Sequence, residues 1–502
     1  MTEQVGTFST DPFAECRAHL ETLVGFLDGE MAAAMSHAEL ERRVQLDGRE
    51  VLRLAFQGHL DRRAEREGRI EEVTDANGVA RGSVEPGHER VLTTVFGEVS
   101  VRRLAYRRRG RANLHPADGA LNLPAERHSH GLRELAAVEA SRGSFDGAVE
   151  AVERVTGQHV AKRQIEELAA RAAADFETFY AVSPRPEVES GDVVVLSADG
   201  KGIVMRPEGL RRATARAAAT TTTKLATRLS KGEKRNRKRL AEVGAVYNIS
   251  PVPRTPSDIL TIDKVTSQMR PAPVAKNKWV LASVVEDAAV VVRRLFDEAQ
   301  RRDPDHEHAW VALVDGNNHQ IQRMKAEAKI RRVEVTIVVD LIHVLEYLWK
   351  AAWCFFDEGD TAAEGYVFSK ALAVLNGEAS TVAASIRRKA TCWHLEPSKR
   401  ANADTCANYL LRKRPYLDYP TALEKGWPIA TGVIEGACRH LVKDRMDLTG
   451  ARWSLDGAEA VLKLRALRTN QDFPAYWEFH LSHERDRVHA ARYADGLIPR
   501  AA

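Results

Sequence analysis

Between residues 191 and 340 the chain places short β-branched runs and helical segments in an order that few folds accommodate. GDVVVLSADGKGIVM is an apolar, β-branched run leading into Asp199-Gly200. AEVGAVYNIS (241–250) and KWVLASVVED (278–287) read as two further strands. A helix is expected over 288–300, followed by the strand AWVALVDG (309–316), a helix near 319–330 and the strand VEVTIVVD (333–340). The order is three strands, helix, strand, helix, strand.

The rest of the chain brackets this segment. At 502 residues, and roughly 100–200 residues per domain, two to four domains are expected. Cys16, Cys354, Cys392, Cys406 and Cys438 are too scattered for a disulfide scaffold, and no pair has the spacing of a zinc site. The start, MTEQVGTFSTDPFAECRAHL, has neither a basic opening nor a long apolar core, so no secretory signal is expected. Uninterrupted apolar runs fall short of the roughly 18 residues of a membrane span, which makes a cytoplasmic protein the expectation.

A net charge of +4 conceals an uneven distribution. Residues 206–239 hold twelve Lys and Arg against only Glu208 and Glu233, and VRRLAYRRRGR (101–111) holds six arginines and no acid. Such patches on an otherwise acidic chain point to a polyanion, with nucleic acid as the leading partner. Arg107, Arg108, Arg109, Lys234, Arg235, Arg237, Lys238 and Arg239 are the candidates for phosphate contact.

Upstream, residues 1–70 carry helical spacing, and 88–107 alternate about Phe96-Gly97-Glu98 as a hairpin would. From Leu132 to Tyr180 the pattern is helical with one clear break. Ser144 is a cap for a helix through Val152, and Gly157 is its left-handed stop. A second helix begins near Val160 with Lys162, Arg163 and Gln164 in its first turn and Ile165, Leu168, Ala169 and Ala172 on its buried face. That arrangement fits a helix-turn-helix whose second helix enters the major groove by its N-terminal end. Any antiparallel helical hairpin would give the same spacing. SPRPEVESG then reads as a linker, and residues from Leu341 to about Trp427 read as helical without strands. A further helix is expected over VIEGACRHLVKDRMD (433–447).

The strand–helix order is that of an RNase H-like mixed sheet (βββαβαβ-α), with strand order 3-2-1-4-5. The first and fourth strands are then central neighbours, and acids at their C-terminal ends face each other: Asp199 and Asp315. A third acid from the packed helix is Glu435. Three carboxylates suit a pair of Mg²⁺ ions about 3.5–4 Å apart, one activating the attacking oxygen and one stabilising the leaving oxygen. Any single Asp at a strand end is otherwise a turn-former. Asp340, with His343 one turn on, is the alternative second acid or a supporting pair. Arg439 on the Glu435 helix could hold a phosphate or pair with Glu435, and Lys443 and Arg445 extend a basic surface.

ADGKGIVMRPEGLRRAT, VGAVYNISPVPRTP, WVALVDGNNHQI, DLIHVLEYLWKAAW and TGVIEGACRHLVKDRMDLTGARW together resemble the ISKra family of bacterial insertion-sequence transposases. The likeness extends from LHPADGALNLP to YWEFH and so covers most of the chain. It implies a DDE transposase that cuts DNA at element ends and joins the freed 3′-OH to target DNA. Related DDE families place the second Asp in a strand-end DG, which maps to Asp315, and a C/D-x-x-H motif, which maps to Asp340–His343. A helical insertion then precedes Glu435.

The expected organisation is an N-terminal helical region with a hairpin (1–130), a helix-turn-helix-like segment (131–185) and the first part of the core (186–343). A helical insertion (344–430) and the final core helix with a tail (431–502) follow. The expected partners are double-stranded DNA and further copies of the chain on that DNA, and the expected cofactor is two Mg²⁺, with Mn²⁺ as a substitute. A catalytically inactive DNA-binding regulator and a stand-alone nuclease are the rival expectations.

Overall fold

The computed structural model describes residues 11–220, 237–260, 270–448 and 450–501. Lys234 and Arg235 lie outside the described residues. The chain divides into two units, Met1–Val182 with Gln471–Ala502, and Ser183–Asn470. The last 32 residues, which the sequence attaches to the final core helix, are thus grouped with the N-terminal unit. Among the described residues no helix is long and apolar enough to cross a membrane.

The first unit opens with helices α1 (Ala14–Leu27) and α2 (His37–Glu65). Ser36 and Glu39 start α2 with a reciprocal capping box, satisfying two backbone donors at once. Strands β1 (Ser83–Thr94) and β2 (Gly97–Arg107) form the hairpin, closed by the two residues Val95 and Phe96. Val99, Val101 and Ala105 alternate onto the buried face, where Val99 and Val101 meet Leu60, Leu92 and Leu123.

This hairpin corrects part of the basic-patch expectation. Arg103 shares the buried face and pairs with Asp118 at 2.6 Å, and the part-exposed Arg102 pairs with Asp61 at 2.8 Å, whereas Arg107 stays exposed beside Glu85. An inward-facing strand position must neutralise its charge internally.

The next helices are α3 (His130–Arg142), α4 (Phe145–Thr156) and α5 (Lys162–Ala172). Ser144 accepts from Gly147 N at 2.9 Å, and Gly157 ends α4 with φ +70°, both as expected. Ile165, Leu168, Ala169 and Ala172 are buried. The helical segment has more than the one expected break, however. The extended backbone that Ser144 needs to cap α4 also ends α3, and residues 173–175 turn before a helix over Phe176–Val182.

In the second unit five strands form one mixed sheet: β3 (Val193–Val204), β4 (Lys238–Ile249), β5 (Ala275–Ser283), β6 (Trp310–Val314) and β7 (Val335–Val339). Their spatial order is β5-β4-β3-β6-β7, which is 3-2-1-4-5 counted within the sheet. The β3–β4 and β4–β5 pairs are antiparallel, and β3–β6 and β6–β7 are parallel. Residues 193–198 and all of β6 are buried, as a central strand requires. Helices α6 (Ala288–Arg302) and α7 (Asn318–Arg331) are capped by Asp287 and Asn317. Helix α8 (Leu341–Ala352) starts directly on Asp340, and helices then continue to Glu424 with no strand among the described residues.

The final core helix departs from a uniform α-helix. Gly432–Ala437 (α9) is α-helical, Cys438–Lys443 has π geometry and Asp444–Met446 returns to α. Arg445 is 3% exposed, stacked 4.5 Å over the Trp453 ring, and burial pushes its pKa down to about 10. It therefore extends no basic surface, contrary to expectation, because the cation–π contact is made inside the fold.

Candidate active site

The parallel pairing of β3 with β6 ends at Ser197 opposite Leu313. Asp199 follows two residues later, and Asp315 directly follows β6. Asp199 does not end its strand, contrary to the expectation from Asp199-Gly200. Strand β3 runs on to Val204 because β4 stays paired with it as far as Lys238. Even so, Asp199 and Asp315 line one cavity of about 260 Å³, together with Glu242, Asn317, His319 and Gln320. Burial is the main cause raising the Glu242 pKa, and the neighbouring Asp199 charge adds to it.

Each acid has a distinct local setting. Asp199 Oδ1 accepts from Gly200 N at 2.6 Å, and the Cys438 thiol donates to its Oδ2 at 3.3 Å. Burial pushes the Cys438 thiol upward, and the Asp199 and Glu435 charges add to that. Asp315 Oδ1 accepts from Asn317 N at 2.7 Å in a turn ahead of α7. Asp340 is fully buried and is the N-cap of α8. Its oxygens accept from Ile342 N at 2.9 Å and the Thr431 hydroxyl at 2.5 Å, and lie 3.0 Å from His343 Nδ1. The hydrogen bond to Asp340 raises the His343 pKa. Thr431 Oγ1 also lies 3.3 Å from Glu435 Oε1, linking the end of β7 to the helix that carries Glu435.

The acids thus connect through neighbours: Asp199 through Cys438 toward Glu435, and Glu435 through Thr431 to Asp340 and His343. Carboxylate oxygens are the right donors for a hard divalent cation. Their spacing does not fit one as it stands. Among the described residues no group of three His, Cys, Asp or Glu side chains converges closely enough to hold a metal ion.

Asp340 and Asp315 can be separated by their surroundings. Because Asp340 is buried and takes three polar neighbours, Thr431→Val is expected to destabilise the protein by about 1.5–3 kcal/mol, the cost of removing a hydrogen bond to a buried charged acceptor. Thr431→Ser should keep most of that stability. Urea unfolding of both variants checks this, and equal losses would remove the hydroxyl's role.

The candidate nucleic-acid contacts are dispersed. Lys162, Arg163 and Gln164 are exposed in the first turn of α5. Lys162 pairs with Asp146 at 2.7 Å, Arg163 with Glu167 at 3.1 Å, and the Gln164 side chain accepts from Ala161 N at 3.3 Å. Arg108 donates to Ala80 O at 3.2 Å, and Arg109 is exposed. Arg239 is half-buried and donates to Val284 O at 2.7 Å and Gly209 O at 3.1 Å, so its first task is holding loops. Arg237 and Lys238 sit beside it, and Lys238 is exposed. Arg439 and Lys443 are exposed, and Arg439 lies 3.7 Å from Asp444 rather than on Glu435. Sequence reasoning missed Thr431, Glu242, Tyr409 and Lys413. Only Thr431, just ahead of the Glu435 helix, carried a local signal.

No protein-family model matches the chain, and no curated protein matches it.

Proposed function

We propose that this chain is a DDE transposase of RNase H-like fold, of the kind the ISKra resemblance implies. It would cut DNA at the ends of an insertion sequence and join the freed 3′-OH to target DNA. The observation that carries the reading is the cavity shared by Asp199, on the central strand, and Asp315, at the end of its parallel neighbour. Open α/β sheets place ligand sites beyond the carboxyl ends of their parallel strands.

In this reading Asp199, Asp315 and Glu435 are the acids that take Mg²⁺ or Mn²⁺, and Asp340 with His343 supports them. Mg²⁺ held by these carboxylates would supply Lewis-acid chemistry for phosphoryl transfer. Assembly of the three acids around ions is part of the proposal, because like charges resist convergence without a cation. Helix α5 presents Lys162, Arg163 and Gln164 to the element end, while Arg107–Arg109, Arg237–Arg239, Arg439 and Lys443 contact phosphates. Phosphate contacts fix position without reading sequence. Joining two ends in one event calls for a dimer or larger assembly on DNA, acting at the bacterial nucleoid.

The test is incubation of the protein with a duplex carrying the element end and a target plasmid. A nicked end and a joined product are expected with Mg²⁺, and neither in EDTA. Binding without cutting under Mg²⁺ or Mn²⁺ would favour the inactive regulator. Cutting without joining would leave a stand-alone nuclease.

Salt dependence tests the basic insertion. Neutralising Lys234, Arg235, Arg237, Lys238 and Arg239 together is expected to weaken DNA binding. The slope of log affinity against log salt should flatten by about 0.9 for each phosphate that the variant no longer neutralises. An unchanged slope removes the insertion from the interface.

A further inference from the structure

The loop 315–317 and the first residue of α7 border two cavities. Asp315 and Asn317 line the acidic one, whereas Gly316 and Asn318 line a second of about 360 Å³. The other wall of the second cavity comes from α8 and from the helix Pro397–Lys413, through Tyr347, Asn408, Tyr409, Arg412 and Lys413. The Tyr347 and Tyr409 rings stack with centroids 3.9 Å apart and planes 17° from parallel. The Tyr409 hydroxyl donates to Asp315 O at 3.2 Å. Gly316, at φ +92°, lies against the same ring, and a Cβ there would come within 2.5 Å of Tyr409 Oη. The loop bearing the candidate acid and the aromatic wall are therefore fixed to each other.

Lys413 is the unusual member. It is only 6% exposed, and its ammonium donates to Asn318 Oδ1, a neutral amide. Among the described residues no carboxylate pairs with it, although the field of Asp315 reaches it. A buried ammonium costs several kcal/mol unless a counter-charge meets it. Arg412 lines the same cavity from an exposed position, adding a second cation. Two cations without a paired acid, an aromatic wall and amide groups from Asn318 and Asn408 make a cavity suited to an anion attached to a planar group.

We infer that this cavity binds a phosphodiester of nucleic acid, with Lys413 and Arg412 as its counter-charges and the Tyr347–Tyr409 pair as the wall beside the adjoining base. The anion site stands on the geometry of these residues. Its assignment to the DNA that reaches Asp315 rests on the proposed transposase reading. Stacking on an aromatic wall is tolerant of sequence, so the pocket positions a strand rather than selecting one.

The experiment measures fluorescence anisotropy of labelled single-stranded and duplex oligonucleotides in EDTA, where no cutting occurs. Lys413→Met and Arg412→Gln are each expected to weaken binding roughly tenfold and to reduce the salt slope by about 1. Lys413→Met should melt at the wild-type temperature or above, because an unpaired buried charge has been removed, and a purely structural lysine would instead lower it. If Lys413→Met melts lower, Arg412→Gln decides, since its exposed side chain can be replaced without disturbing the core. Unchanged oligonucleotide affinity in Arg412→Gln overturns the inference.

Inorganic phosphate is the second probe. It should raise the wild-type melting temperature and leave that of Lys413→Met unmoved. Loss of the phosphate effect with unchanged oligonucleotide affinity would make the cavity a free-anion site and overturn its assignment to nucleic acid. Intact oligonucleotide binding through Lys413 in a protein that never cuts with Mg²⁺ would sink the transposase reading and leave the pocket standing.

Discussion

Asp199→Asn is expected to abolish Mg²⁺-dependent cutting, a fall of about three orders of magnitude or more, the scale seen when a group of the reacting site is removed. The substitution keeps the side chain's shape and leaves an oxygen to accept from Gly200 N or from Cys438. The apolar residues that anchor β3, Val193 to Leu196, are untouched and buried. Folding and DNA affinity in EDTA should therefore stay at wild-type levels, and only the charge that a cation would need disappears. The nicking assay on wild type and variant, with melting curves alongside, gives the answer. Asp315→Asn should behave the same way. Asp340→Asn should instead lose stability, because the Asp340 carboxylate is buried and shared among Ile342 N, His343 and Thr431. A stable, inactive Asp340→Asn beside an active Asp315→Asn would move the second acid to Asp340.

The second large effect lies in the N-terminal unit. Arg133 on α3 is 1% exposed and forms ion pairs with Glu484 at 2.7 Å and Glu126 at 3.1 Å. His480 links Glu484 to Asp175, lying 3.3 Å from Glu484 and 2.6 Å from Asp175, and Arg487 pairs with Asp175 at 2.6 Å. Arg133→Met is expected to destabilise the protein by roughly 3–5 kcal/mol, since it leaves the buried Glu484 carboxylate without its arginine, whereas Glu126 keeps Arg171 at 2.9 Å. Urea unfolding measures it, and a loss below about 1 kcal/mol would mean the network is not holding α3 to the helix Phe473–Val488.

The same network sets an acid limit. Burial alone would raise the Glu484 carboxyl, but hydrogen bonds from His480 and Arg133 overcome it and hold the pKa down to about 2. A depressed folded-state pKa contributes stability above the ordinary glutamate value and loses it as pH falls toward the folded value. The stability gap between wild type and Arg133→Met should thus be full at neutral pH. It should shrink as pH drops from about 4.5 toward 2. A gap independent of pH over that range would mean that Glu484 does not depend on Arg133.

Local pattern revealed what neighbouring residues can encode. The runs GDVVVLSADGKGIVM, 241–250 and 309–316 read as strands because a short, continuous, β-branched apolar stretch is a signal carried by adjacent residues, and the strands found there are buried almost throughout. Ser144 and Gly157 marked the ends of α4 because capping and left-handed backbone are chemistry of single residues. Asp199 and Asp315 were legible as strand-associated acids for the same reason. Tertiary structure alone decided which charges face inward: Arg103 on Asp118, Arg445 over Trp453, Lys413 against Asn318. It alone carried β3 past Asp199, because a partner strand some 40 residues away keeps its ladder paired, and it alone grouped residues 471–502 with the N-terminal unit. Periodicity and caps act over a few residues, whereas burial of a charge depends on what distant segments bring to it, and no window of sequence contains both halves of that pairing.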